Sequence, residues 1–427
     1  MKKVVLSVAA LMCGAIMVAQ TNTSDVLSEG NDNASVVDQS GTLNDSDVDQ
    51  LGNGNDSDVS QTGINNGSIV RQGFRPLGLL SDDNESTVIQ SGENNLSDVI
   101  QVDFTQPGEN LSIVSQDGNE NTSIVQQVGV NNDSNTEQIG DDNSSVVYQA
   151  LYVSSNNNIS NVLQDGNMNT SEVFQNQHNN ESDVDQTGDS NSSLVYQDGL
   201  GNFSTVDQDG DSNVSVMTQS GIDNNSDIDQ KGQGGGISND ALVEQDGARN
   251  TSTLLQNGTF NDGDIYQEGD DNIAYTWQGN GYGDRNVSTT SQIGDDNYSY
   301  QKQWGDDHIS NVTQSGDDNS SNVDQWGLSD ESTVDQDGNN NESTVDQDHN
   351  DNWSDVDQTG DDHTSLVTQN GFAINMSDVD QSGLGHTSTV NQQGDTNHSW
   401  VTQTGDTHVS DVQQLGDMNT STVTQSN

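Results

Sequence analysis

The chain has 427 residues, 27% of them apolar, and sets 69 acidic side chains against 8 basic ones for a formal net charge of −61. A chain this long ordinarily folds as two or three domains with packed cores, which this apolar supply cannot fill. Low hydropathy with high charge elsewhere means disorder, but this sequence is strongly periodic, and the clustered Lys and Arg that nucleic-acid phosphates demand are missing.

Residues 1–20 read as a secretory signal peptide. Met1-Lys2-Lys3 is basic, Val4 to Ala19 is an apolar run too short to span a bilayer, and Ala19 is the small residue expected before a cut. The only cysteine, Cys13, falls inside it; a lipoprotein cleavage box there would want a small residue in place of Met12. Residues 21–427 are then one cysteine-free repeat domain, with neither disulfides nor thiolate metal ligands and no membrane span expected.

From Asn22 onward the chain repeats Asn-x-Ser-x-Val-x-Gln-x-Gly-x-x, an 11-residue unit clear in Asn44, Ser46, Val48, Gln50 and Gly52 and again in Asn55, Ser57, Val59 and Gln61. There are 35 units, with Asn in 30, Ser in 32, Val in 27 and Gln in 34 of them; Ser28 stands at the first glutamine position. The four recurring residues lie two apart, so an extended strand projects them all from one face, which no helical period does. The glycine-containing remainder has the chemistry of a tight turn. Each unit is therefore predicted to be a seven-residue strand and a four-residue turn.

Departures from the period respect that division. Extra residues precede Asn84, Asn110, Asn158, Asn239, Asn286 and Asn375, always in the turn, where they leave the inward face of the strands unchanged. Both prolines, Pro76 and Pro107, fall in these insertions.

Strand–turn units of short period predict an all-β, elongated solenoid in which each unit contacts only its neighbours. One inward Val contributes about 1.5–3 kcal/mol, whereas ordering eleven residues costs on the order of 16 kcal/mol, so apolar burial is not the main support. Stacked strands with amide ladders are expected instead, as in cross-β assemblies. The expected ladder residues include Asn44 to Gln61 as above, Asn180, Ser182, Val184 and Gln186, and Asn419, Ser421, Val423 and Gln425.

The series Ser46, Val48, Gln50, Gly52, Asn55, Ser57, Val59 and Gln61 resembles the curlin repeat of curli fibre subunits, and the resemblance runs over residues 22–425. It implies a flat β-solenoid with two strands per coil and a secreted subunit that assembles with itself into extracellular, cell-surface amyloid fibres serving biofilm cohesion and adhesion. A nucleator subunit and curli-type export machinery are the partners it implies. The chain has many more units than a typical curlin, and its repeats begin almost at once after the leader. Two units per coil give about 17 coils, roughly 80 Å long at about 4.8 Å per layer.

The positions flanking Val are expected to face outward and to carry the charge, as at Asp45, Asp47, Asp49, Asp183, Asp185, Asp355 and Asp357. Carboxylates one layer apart repel by about 0.9 kcal/mol in water, so assembly is expected to need salt or non-specific calcium or magnesium screening, with no cofactor. His308, His363, His386 and His408 occupy the inward Asn position and are read as ladder fillers. No cluster stands apart from the repeat as a catalytic site, and Tyr148, Tyr196, Trp277, Tyr300, Trp304, Trp326 and Trp400 read as scattered. The alternative is a non-polymerising acidic solenoid that binds cations, ice or a surface; Thr87, Asp98 and Ile113 in successive units do not form the regular threonine row that ice would need. Terminal coils without caps are expected to present edges to a second copy.

Overall fold

The computed structural model describes residues 21–73, 81–103, 108–149, 155–231, 238–371 and 374–427. Residues 1–20, read above as a signal peptide, and both prolines lie outside this set. Among the described residues there is no helix; the chain alternates strand by strand between two parallel sheets, and one strand in each makes a coil. The first sheet runs from Thr23–Glu29 and Asp45–Leu51 to Thr420–Ser426, the second from Ala34–Thr42 to Val409–Leu415. Counting the pair Ser155–Asn156, the first has 19 strands. The fold is a two-strand β-solenoid.

Each repeat position forms a column along the axis. Ser46 pairs with Ser68, Val48 with Val70 and Gln50 with Gln72, twenty-two residues on. Insertions leave this register intact: Ser57, Val59 and Gln61 pair with Ser86, Val88 and Gln90 although seven extra residues intervene. A slip by one would turn Val and Gln to solvent and Asp into the core.

The strands are not uniformly seven residues long. Glu181–Thr187 has seven, but Ser192–Leu200 has nine because its pairing continues through the glycine, Gly199 against Gly221. The residue before nearly every inward asparagine takes a left-handed conformation, as at Asn65 (φ 58°) and Asp142 (φ 60°), and this reverses the chain. Asn and Asp tolerate that region best, yet Leu43 and Phe260 adopt it too, held by the layers on either side.

Away from the terminal coils the inward valines are buried and make two separate apolar clusters, one ending at Ile265 and Ala274 and the other starting at Val312. Between them the valine position holds Thr276, Thr290 and Gln301. These polar side chains bond locally: Ser288 Oγ donates to Gln301 Oε1 at 2.7 Å, and Gln301 Nε2 donates to Thr290 Oγ1 at 2.7 Å.

The outer faces differ from the sequence reading at one point. The aromatic side chains are gathered, not scattered. Trp277, Trp304 and Trp326 lie on consecutive layers of the second sheet, with centroids 5.4 and 4.3 Å apart; Tyr148, Phe174 and Tyr196 stack on the first, 5.4 and 6.4 Å apart. Residues one coil apart in sequence become neighbours in space. Likewise Leu194, Val216 and Leu242 form one apolar column. On the opposite sheet Asp183, Asp185 and Asp227 face outward, each raised above the usual carboxylate range by partial burial first and by neighbouring carboxylates second. Lys231 bridges Asp207 and Asp229 there at 2.9 and 2.8 Å.

Candidate functional site

The glutamine position makes two continuous amide columns. In the second sheet Nε2 of Gln164 donates to Oε1 of Gln186, and Gln186 to Gln208, both at 2.8 Å; in the first, Gln50 donates to Gln72 at 3.0 Å. Ser28 Oγ takes the missing first amide's place and donates to Gln50 Oε1 at 2.7 Å. The other Nε2 hydrogen crosses to the facing sheet, as from Gln186 to Thr170 O at 3.0 Å and from Gln61 to Asp45 O at 2.9 Å. Each amide therefore ties its own layer to the next and one sheet to the other. A buried amide left unpaired would cost roughly 1–3 kcal/mol, so the columns hold strictly to register.

Asparagine stacks differently, chiefly through the main chain, with an amide-to-amide bond added at some layers, as from Asn110 Nδ2 to Asn84 Oδ1 at 2.9 Å. Asn180 Oδ1 accepts the backbone N–H of Asn202 at 3.1 Å, while its Nδ2 donates to Asn176 O and Gly199 O at 2.6 and 3.1 Å. Asn44 and Asn55 act alike, their Oδ1 atoms accepting from the backbones of Asn66 and Asn84. Asparagine is thus a corner clamp, pinning the turn to the strand start in the next layer.

Serine has no comparable partner. Ser46, Ser57 and Ser182 are buried, and their hydroxyls make no hydrogen bond. Elsewhere in the column two hydroxyls do meet across one layer, Ser252 Oγ donating to Ser226 Oγ at 2.8 Å. What the position requires is small volume beside the valine column of Val48, Val59 and Val184; Ala241, Ala274 and Gly263 also occupy it.

The columns have direction, so the two ends of the solenoid are unlike. Glutamine donates toward the C-terminal end, and each asparagine Oδ1 accepts a backbone N–H from the C-terminal side. Among the described residues no strand pairs with the outer edges of Thr23–Glu29 and Ala34–Thr42, or of Val409–Leu415 and Thr420–Ser426. Val26, at a position buried in the interior, is 46% exposed, and Asn419, Ser421, Val423 and Gln425 lie on the other bare edge. One end lacks the partners that the other supplies.

The sequence profile of the curlin associated repeat matches residues 30–63, 178–210, 202–232 and 400–426. The chain carries curlin repeats in these four regions. No curated protein matches it. The family and the fold are structural rather than enzymatic. Among the described residues no group of three or more His, Cys, Asp or Glu side chains is placed to hold a metal ion.

Several curlin repeats here replace the corner asparagine. His363, His386 and His408 stack face to face, 5.0 and 5.2 Å between centroids and nearly parallel. Nδ1 of His363 accepts the N–H of His386 at 3.2 Å, Nδ1 of His386 accepts that of His408 at 3.1 Å, and each Nε2 meets the carbonyl four residues back. This is the asparagine pattern performed by a neutral imidazole carrying its proton on Nε2. Burial first, then His386, lowers the His363 pKa. Its contribution to stability is therefore present above about pH 6.5 and is lost as pH falls through the lowered value. Hydrogen exchange is expected to show less protection of Thr364–Gly371 and Thr387–Gln393 at pH 5 than at pH 8. The triple variant His363→Asn, His386→Asn, His408→Asn should abolish the difference; equal protection of the natural chain at both values would refute the imidazole assignment.

Asp330 is a replacement that the sequence reading missed, its only signal being the break in the asparagine column. It is fully buried with His308, their Oδ2 and Nδ1 3.5 Å apart. Burial pushes the Asp330 carboxyl up to about 8 and the His308 imidazole down to about 4, leaving both uncharged at neutral pH. For the raised acid, stability is fully present below about pH 4 and is lost as pH rises through about 8. Asp330→Asn restores the repeat amide, so denaturant unfolding should find the variant more stable by on the order of 3 kcal/mol at pH 9, with the gain shrinking toward pH 4. Asp103, in an insertion, is another buried carboxylate, held by Ser81, Asn84 and Asn110 at 2.9, 3.0 and 2.8 Å.

Proposed function

We propose that the chain is a secreted structural subunit that polymerises end to end into extracellular, curli-like amyloid fibres, serving biofilm matrix and adhesion. The observation that carries this reading is the pair of bare, directional edges. Gln425 Nε2 and Gln414 Nε2 lie at the donor end of the glutamine columns and Gln39 Oε1 at the acceptor end, so a second copy continues the columns only head to tail. Such a contact is heterologous and does not close, which gives a filament. The repeat family supports the fibre class. Non-specific divalent cations or salt favour assembly by screening the Asp columns of the lateral faces. A nucleator and an export apparatus complete the proposal.

Electron microscopy and fibre diffraction of residues 21–427 test it. Unbranched fibres with a meridional reflection near 4.8 Å, growing faster in salt or calcium than in low salt, are the expected result. Stable monodisperse rods under all three conditions would overturn polymerisation and favour a monomeric binding surface.

A further inference from the structure

We propose that the aromatic patch of the second sheet is a binding platform for a polysaccharide of amino sugars. The patch lies on a lateral face, clear of the solenoid ends, and does not depend on assembly. Tyr275, Trp277, Tyr298, Tyr300, Trp304 and Trp326 come together there from three successive layers. Three of the chain's five tryptophans and three of its eight tyrosines share this spot. Tyr275 and Tyr298 are 6.3 Å apart, and Trp326 remains 40% exposed at the open edge.

The molecule shows what these rings accept. The Lys302 ammonium lies 3.9 Å from the Trp304 centroid and 4.5 Å from that of Trp326, with Asp324 Oδ2 at 3.3 Å. Ring faces and a carboxylate together hold a cation there. Beyond Trp326 the surface opens into a recess lined by Asp324, Trp326, Asp346, Asp348, Thr368 and Asn370. Asp346 stands in the column of Lys302, two layers on, and no basic side chain of the described residues pairs with it. Asp348 touches His349 Nδ1 at 3.3 Å and Asn370 Nδ2 at 3.5 Å. The recess thus repeats the ammonium's surroundings, a tryptophan and carboxylates, with the cation's place open to solvent.

A pyranose ring offers a C–H face that lies on an indole, and hydroxyls at its rim that suit Asn322, Thr344 and Asn370. An amino substituent supplies the ammonium for Asp346. Anionic glycans are repelled by a chain of charge −61. An extended peptide needs an unpaired strand edge, and here the backbone is already paired above and below.

Tryptophan fluorescence titration of residues 21–427 with glucosamine oligomers, N-acetylglucosamine oligomers and alginate oligomers tests the assignment. The amino oligomers should bind, the acetylated ones more weakly and alginate not at all. Trp326→Ala should weaken binding roughly ten-fold, Trp326→Phe should retain most of it, and Trp400→Ala, an aromatic loss elsewhere, should change nothing. Circular dichroism should show that each variant keeps its sheets. No binding by the natural chain, equal binding of amino and acetylated oligomers, or unaltered binding by Trp326→Ala, which would mark diffuse adsorption to surface acids, each overturns the proposal.

Discussion

Replacing Gly166 by alanine is expected to cut the solenoid into two independently melting segments. Gly166 sits at a second-sheet turn with φ 136°, a conformation that side chains resist, and the added methyl would press into the backbone carbonyl of Gly188 one layer on. Gly188 is itself packed closely against Gly210 in the next layer, and the atom met is backbone carbonyl, so no flexible side chain can yield to relieve the clash. The bonds at risk are Gly166 N–H to Ile139 O at 2.9 Å and Gly188 N–H to Asp165 O at 2.8 Å. Backbone strain of about 1–3 kcal/mol plus two weakened bonds gives a loss on the order of 4 kcal/mol. In a repeat array stability is nearly a sum over adjoining layers, so a loss at one junction uncouples the segments on either side. Denaturant unfolding should resolve two transitions in Gly166→Ala and leave the exposed neighbour Asp165→Ala at the natural midpoint. One transition at that midpoint for Gly166→Ala would show that the glycine column is not what sets the layer contact.

Spacing by two makes the inward face legible in the sequence alone. Asn180, Ser182, Val184 and Gln186 alternate with acidic or threonine neighbours, and only a strand puts four such residues on one side. Insertions confined to the segment before Asn84 or Asn110 likewise marked the turns. How the columns are wired was beyond that pattern. Asparagine and glutamine carry the same amide, yet glutamine reaches its own kind and asparagine chiefly reaches main chain, because one sits mid-strand and the other at a corner. The left-handed residue before nearly every asparagine hides behind varied side chains, since neighbouring layers impose the conformation on Leu43 and Phe260 as firmly as on Asn65. The aromatic platform was illegible for another reason. Trp277, Trp304 and Trp326 become neighbours only when alternate units are assigned to the same sheet, and the outward Val36, Ile69, Ile113 and Val146, which recur every third unit, fit a three-strand coil as well.

Proline placed on the last edge is expected to stop fibre growth without unfolding the subunit. In these parallel sheets the residue after each corner points its N–H to the following layer, as His398 does toward Asn419 O and Thr387 toward His408 O. Alternation then directs the N–H groups of Thr420, Thr422 and Thr424 away from the molecule, while those of Ser421 and Val423 turn back to the strand His398–Asp406. Thr422→Pro therefore removes a donor that only an incoming copy would use, and its ring occupies the space that copy must enter. Asp411→Pro does the same on Val409–Leu415, closing the other half of the final coil. The double variant should keep its β-type circular dichroism, lose no more than about 1 kcal/mol of stability, and form no fibres alone. Mixed with natural chains it should still join through its intact N-terminal edge, so a small fraction caps growing C-terminal tips and shortens the fibres. Thr422→Val, which keeps the N–H, should grow normally. Fibres of natural length from the double variant would mean that subunits meet through their lateral faces, and the directional end contact would have to be abandoned.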